Sequence, residues 1–279
     1  MVFFGSSNFS VFCLEELKTN GILPILIVTT PDMPTGRGLK LTPTPVKIWA
    51  DGNKITCLSP IKLDSNFISE LNLIEYNLFL VASYGKILPD TVINLPKYKT
   101  LNIHPSLLPK YRGPSPLQTQ ILNNEQNIGV TIMLMDELVD HGPIIAQEKI
   151  PIPNWPVKFD ELEKITAIAG AKIFFERLND WLKNKIIPEK QNHSEATFTK
   201  KVKKGDGLTD LTNEDPYKNF LKIQAYNIWP QAYFFIEKNN KKIRIIIKDA
   251  IFKNGQLEIL RVLPEGKKEM LYKDFLRGF

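Results

Sequence analysis

The sequence predicts an α/β protein. Its first part, residues 1–190, reads as a Rossmann-like, mainly parallel sheet domain. A small β domain follows over residues 196–279. Three observations predict this. Short apolar runs alternate with stretches of helical spacing over the first hundred or so residues, which is the pattern of βαβ units. The length of 279 residues suits two domains of ordinary size. Beyond a polar stretch at 183–194 the texture changes to strand-like runs separated by Asn-Asn and Asn-Gly turn signals.

The elements follow in order. Val2-Phe3-Phe4 is a short apolar run closed by Gly5, as in a first buried strand. Phe9, Phe12, Cys13 and Leu17 recur at helical spacing, and Asn20-Gly21 stops that helix. Ile25 to Thr29 is a second strand. A polar stretch with four prolines, Pro31 to Pro45, precedes a helix at Val46 to Ala50. Ile55 to Leu58 and Phe67 to Leu73 continue the alternation, Leu78 to Ala82 is the most apolar strand, and Leu101 to His104 is another. Phe159 to Leu182 is an amphipathic helix, and Lys183 to Ser194 reads as a linker. Tyr217 to Ile228 is helical, followed by strands at Ala232–Ile236, Ile243–Ile247 and Leu257–Leu260.

Composition narrows the class. Apolar residues make up 43% and charged residues 24%, so the chain can bury a core. The two cysteines, Cys13 and Cys57, form no pairing motif, which suits a reducing compartment. The N-terminal segment lacks the pattern of a secretory signal, and the longest apolar runs fall far short of the roughly 20 residues of a membrane span. The expectation is a soluble, cytoplasmic protein without membrane contact. The net charge of +6 is unevenly placed: residues 196–279 carry 17 Lys and Arg against 10 Asp and Glu. That surplus favours a polyanionic partner.

In a parallel sheet, ligands bind beyond the carboxyl ends of the strands. Gly5-Ser6-Ser7-Asn8, Ser83-Tyr84-Gly85-Lys86 and the segment after Leu101 belong there. Gly5 to Asn8 does not form a Gly-x-Gly-x-x-Gly fingerprint, which leaves a dinucleotide dehydrogenase little support. Asn102 and His104 are two apart at a strand end, so their side chains share a face. Pro105 keeps His104 extended. Met133 to Asp136 leads into an acid-rich turn that can bring Asp140 opposite them. An amide to hold an oxyanion, an imidazole to move a proton and a carboxylate to orient it together suit acyl transfer. Alone, the same three residues more commonly mark a hydrogen-bonded structural histidine.

Residues 101–117, LNIHPSLLPKYRGPSPL, and 129–143, GVTIMLMDELVDHGP, resemble the folate-dependent formyltransferase superfamily. The first matches that superfamily's Asn-x-His-x-Ser-Leu-Leu-Pro-x-x-Arg-Gly motif. The resemblance implies Asn102, His104 and Asp140 as catalytic residues and 10-formyltetrahydrofolate as formyl donor, with no metal. It implies a folate site at Ser106, Leu107, Leu108 and Pro109, completed by Tyr84, Gly85, Ile87 and Leu88. Residues 28–47, VTTPDMPTGRGLKLTPTPVK, resemble the tRNA-entering loop of the methionyl-tRNA formyltransferases. This implies initiator methionyl-tRNA as partner, translation initiation as the process, and Arg37 and Lys40 as RNA contacts. Lys203, Lys204, Lys242 and Arg244 are the further RNA-binding candidates, and a monomer is expected. Asn227-Ile228-Trp229-Pro230 resembles the segment that opens the family's OB-like second domain.

Two departures stand out. Leu138 occupies a place where the family usually has glycine, which predicts a differently shaped turn. Between Ala250 and Leu257 the second domain is shortened by a strand pair, so the OB-like barrel is reduced. A reduced β domain keeps a sugar N-formyltransferase, or another formyltetrahydrofolate-dependent transferase or hydrolase, as the alternative.

Overall fold

The computed structural model describes residues 1–35, 38–238 and 240–278. The chain divides into two compact units, the first comprising Met1–Pro114, Asn127–Ile150 and Glu163–Phe198 and the second Ser115–Gln126, Pro151–Leu162 and Thr199–Phe279. Segments 115–126 and 151–162, which the sequence placed in the first domain, thus pack with the C-terminal residues.

The first unit begins with β1 (Val2–Gly5), α1 (Asn8–Thr19) and β2 (Leu26–Val28). Within the proline-rich stretch a two-stranded hairpin, β3 (Met33–Thr35) and β4 (Lys40–Thr42), precedes α2 (Pro45–Gly52). The Thr44 hydroxyl caps α2 by accepting from the Lys47 amide at 3.0 Å, and Pro45 supplies a preset first turn. Then follow β5 (Cys57–Leu58), α3 (Ser65–Leu71), β6 (Phe79–Ala82), α4 (Asp90–Ile93) and β7 (Thr100–His104). α5 (Pro116–Leu122) belongs to the second unit, and β8 (Gly129–Leu134) and β9 (Ile144–Lys149) return to the first.

The seven strands run in the order β5-β2-β1-β6-β7-β8-β9. The first five are parallel, and β8 and β9 are antiparallel additions. The strand order reverses direction at β1, next to β6, the switch point where ligands bind in open α/β sheets. β6 lies at the centre, which explains its unbroken apolar sequence: both faces are covered and all four residues are buried. One face buries Val2, Phe4, Val28, Phe79 and Val81 against Phe67, Leu71, Val92 and Ile93. Each such fully buried large side chain contributes about 1.5–3 kcal/mol. On the other face runs α6 (Phe159–Leu182). Its Gly170 lies so close to Ile103 that a Cβ would fall 2.4 Å from the Ile103 Cγ2.

The second unit holds α7 (Pro216–Ala225) and a four-stranded antiparallel sheet in the order β10 (Tyr233–Lys238), β11 (Lys241–Lys253), β12 (Gln256–Pro264) and β13 (Met270–Leu271), ending in α8 (Tyr272–Arg277). Asp215 caps α7, accepting from the Tyr217 and Lys218 amides. The helix stops at Ala225, earlier than its apolar spacing predicts. β11 is longer than Ile243–Ile247 because a register shift near Asp249 lets it bend and keep pairing with β12. Among the described residues β13 does not pair back to β10, so the sheet is an open meander. Its core is Ile223, Phe234, Ile245, Ile247, Val262 and Phe275.

Candidate active site

β7 carries the first two residues of the site. Its partners β6 and β8 fix its pleat, so Asn102 and His104 point to one side, as their spacing requires. The His104 side chain is buried, with 4% exposure for the residue, and Asn102 is half-buried.

The third residue arrives on the segment between β8 and β9. Gly142 lets this segment fold back on β8: a Cβ there would sit 2.0 Å from the Leu134 carbonyl oxygen. The fold-back brings the Asp140 Oδ1 to 3.5 Å from His104 Nδ1 and 3.4 Å from Asn102 Nδ2. The Gly113 amide donates to Asp140 Oδ2 at 2.7 Å. The turn takes its left-handed residue at Asp140 itself, with φ of 49°. Leu138 is not among the positive-φ residues, so leucine is accommodated there without backbone strain, and its amide donates to Asp136 Oδ1.

His104 Nε2 lies 3.1 Å from the Tyr111 carbonyl oxygen. A carbonyl only accepts, so Nε2 carries the hydrogen, and the lone pair of neutral His104 belongs to Nδ1, on the side of Asp140. Nδ1 can therefore take a proton, and the carboxylate beside it stabilises the cation that results. Asn102 uses one N–H toward Asp140 and has a second for an oxygen acceptor. This donor set fits a carbonyl carbon that gains an oxyanion while its attacking amine loses a proton. Among the described residues no group of three His, Cys, Asp or Glu is placed to hold a metal ion, and no helix is long and apolar enough to cross a membrane.

The remaining sequence-predicted residues fall in several places. The Ser106 hydroxyl donates to the Lys110 carbonyl and closes the turn that contains Leu107, Leu108 and Pro109. Leu108 is buried, and its main chain is gripped on both sides, its amide by Thr131 Oγ1 and its carbonyl by Gln147. Tyr84 and Leu88 are core residues, so their side chains do not line an open site. Tyr84 makes an edge contact with Phe4, and burial raises its phenol pKa to about 12. That loop instead offers main chain at Gly85, where a Cβ would meet nothing within 4 Å, and the exposed Ile87. Arg37 lies outside the described residues, and Lys40 is exposed on β4. Beside that hairpin an apolar groove of about 670 Å³ is lined by Val11, Met33, Pro43, Pro45, Ile48 and Trp49. In the second unit Lys203, Lys204 and Lys242 are exposed. Lys242 lies 4.5 Å from the Phe235 ring centre and Arg244 lies 3.8 Å from that of Tyr233, forming a basic and aromatic face on β10 and β11.

One part of the site was not legible in the sequence. The stretch read as a linker is tied to the site. Glu189 exchanges both main-chain bonds with Ile144, and Thr197 accepts from the Arg112 amide. The buried Arg112 guanidinium donates to Gln191 Oε1 and to His193 Nδ1. Burial lowers the Arg112 pKa, while Asp140 and Asp136 pull it back up. His193 stacks on His141 at 4.0 Å, and His141 Nδ1 pairs with Asp136 at 2.7 Å. Partial desolvation against its neighbours, then His141, then Arg112 push the His193 pKa down, against a pull upward from Asp136. Arg112 left a sequence signal as the arginine of the matched motif, and His141 by its place next to Asp140; Gln191 and Thr197 left none.

An amide, an imidazole and a carboxylate gathered at the carboxyl end of β7 in an open α/β sheet suit acyl transfer. The formyl transferase family model matches residues 1–178, and the chain belongs to that family. A methionyl-tRNA formyltransferase of Thermodesulfovibrio yellowstonii is 34% identical over all of this chain and 95% of its own length. Among solved structures, a methionyl-tRNA formyltransferase of Clostridium thermocellum superposes with a TM-score of 0.61 at 18% identity, covering 94% of this chain and 96% of that one. An N-formyltransferase of Helicobacter canadensis, in complex with folinic acid and dTDP-3-aminofucose, gives 0.62 at 21%, covering 92% and 94%.

Proposed function

We propose that this chain transfers a formyl group from 10-formyltetrahydrofolate to the α-amine of initiator methionyl-tRNA, acting as a cytoplasmic monomer in translation initiation. The observation that carries the reading is that Asp140 Oδ1 lies within 3.5 Å of both His104 Nδ1 and Asn102 Nδ2, in a chain similar over its whole length to a methionyl-tRNA formyltransferase of which it covers 95%. The folate supplies an activated formyl carbon. Asn102 donates to its oxygen as negative charge develops. His104 accepts through Nδ1 the proton that the attacking amine sheds and returns a proton to the departing nitrogen. Asp140 holds His104 and stabilises its cation. The Ser106–Pro109 turn and the main chain around Gly85 are the parts that would hold the folate, with Ile87 available to its ring.

Residues 1–190 form the catalytic domain in this reading, and 196–279 hold the RNA together with Lys40 and Arg37. The contacts assigned to RNA are Lys203, Lys204, Lys242 and Arg244. The charge surplus of the C-terminal residues supports this. A sugar N-formyltransferase is the second reading, favoured by one observation: the second unit is an open four-stranded sheet. A panel of acceptors separates the two. Formylation of methionylated initiator tRNA, with none of uncharged tRNA or a 4-amino nucleotide sugar, is the expected result. Turnover of the sugar alone would transfer the protein to the second reading.

A further inference from the structure

Two of the residues that touch His104 sit in a backbone region that side chains disfavour. Asp140 has φ of 49° and Tyr111 has φ of 62°. Neither is glycine, so surrounding contacts must hold both in place. One segment supplies contacts to both. Gln191, 5% exposed, donates from Nε2 to the Asp140 carbonyl at 3.0 Å and to the Gly142 carbonyl at 2.7 Å. Its Oε1 is fixed by Arg112, through Nε at 3.2 Å and Nη2 at 2.6 Å. Only an amide can serve these partners together, because the carbonyls need a donor and the guanidinium needs an acceptor. Thr197 acts on the other side. Its Oγ1 accepts from the Tyr111 amide at 2.8 Å, its carbonyl accepts from the Arg112 amide at 2.9 Å, and its own amide donates to the Pro109 carbonyl at 3.3 Å. The Tyr111 carbonyl so placed is the one that fixes the His104 tautomer.

We propose that residues 189–197 form a strap that positions the His104–Asp140 pair, with Gln191 and Thr197 as positioning residues. Gln191 sets the carboxylate through the Asp140 backbone, and Thr197 sets the imidazole through Tyr111. The proposal rests on the reading of His104 and Asp140 as the acid–base pair.

The test compares the full chain with its Gln191→Met, Gln191→Glu, Thr197→Val and Thr197→Ser variants. Two quantities are read: kcat and KM for formyl transfer to methionyl-tRNA, and the nitrogen-15 shifts of the His104 ring. With three histidines in the chain, that ring can be assigned. Thr197→Val and both Gln191 variants should lower kcat by about 10- to 100-fold with KM nearly unchanged. Thr197→Ser keeps the hydroxyl and should restore kcat. Thr197→Val should also turn the single Nε2–H tautomer into a mixture, which a purely structural residue would not do. Wild-type kcat and tautomer in a folded Thr197→Val variant would overturn the proposal. If Gln191→Met does not fold, the Thr197 pair decides. If wild-type enzyme transfers no formyl group to methionyl-tRNA, the functional reading fails, and the His104 tautomer still decides the strap.

Discussion

His104 Nδ1 and Asp140 Oδ1 face each other at 3.5 Å, and His104 holds its other ring nitrogen against the Tyr111 carbonyl. The atom that takes the proton is therefore the one beside the carboxylate. Asp140→Asn tests this pairing. An amide keeps the volume but places no charge beside the imidazolium, so kcat should fall by about 10²–10⁴-fold with little change in KM. Steady-state kinetics of the purified variant check it. A rate near that of wild type would mean that the carboxylate does not support His104.

Gly142 is where the sequence must yield to geometry, because a Cβ would lie 2.0 Å from the Leu134 carbonyl oxygen. Gly142→Ala should push the Asp140 segment off β8. We expect a loss of about 1–3 kcal/mol in stability together with a drop in kcat. Urea unfolding and the transfer assay check both. A stable variant with normal turnover would show that the segment approaches β8 less closely.

Much of the fold, and the shared face of Asn102 and His104, was legible in the sequence. The apolar run at Leu78 to Ala82 marked the central strand, because a strand covered on both faces needs no polar alternation. The two-residue spacing of Asn102 and His104 marked a shared face. Gln191 and Thr197 could not be read. A glutamine in the polar stretch read as linker and a threonine at the start of the second domain carry no local signal, and only the fold brings them against Asp140 and Tyr111. The β3–β4 hairpin was hidden for a related reason: Pro34, Gly36 and Gly38 break any alternation, and its strands are three residues each. The placement of 115–126 and 151–162 with the C-terminal residues depends on tertiary contacts that no local pattern reports.

His193 gives a pH prediction. Its pKa is lowered from 6.5 in the folded chain, by partial desolvation against its neighbours first and then by His141 and Arg112. The unfolded chain then binds the proton more readily. The contribution to stability is present above 6.5 and is lost as pH falls through the lowered value. The melting temperature should decline as pH drops below 6.5. His193→Gln, whose side-chain oxygen can still accept from Arg112, should flatten that part of the curve. An unchanged slope in the variant would exclude His193 as its source. The effect is small, because the ring is exposed and solvent screens it.

The RNA reading makes a prediction about salt. Lys242 lies over Phe235, and Arg244 over Tyr233, on one face of β10 and β11. If these cations meet phosphates, Lys242→Gln should weaken tRNA binding and reduce the slope of log affinity against log salt concentration by about 1. Filter binding over a salt series measures it. An unchanged slope would remove Lys242 from the interface.

The most direct test of the account is the single-turnover rate of formyl transfer from 10-formyltetrahydrofolate to methionylated initiator tRNA, measured for the wild-type chain and for Asn102→Ala. The account predicts transfer by the wild type and a rate lower by about 10²–10³-fold in the variant, the loss of one oxyanion donor. No transfer by the wild type would contradict the assigned acceptor, and equal rates in the two proteins would contradict the assigned chemistry.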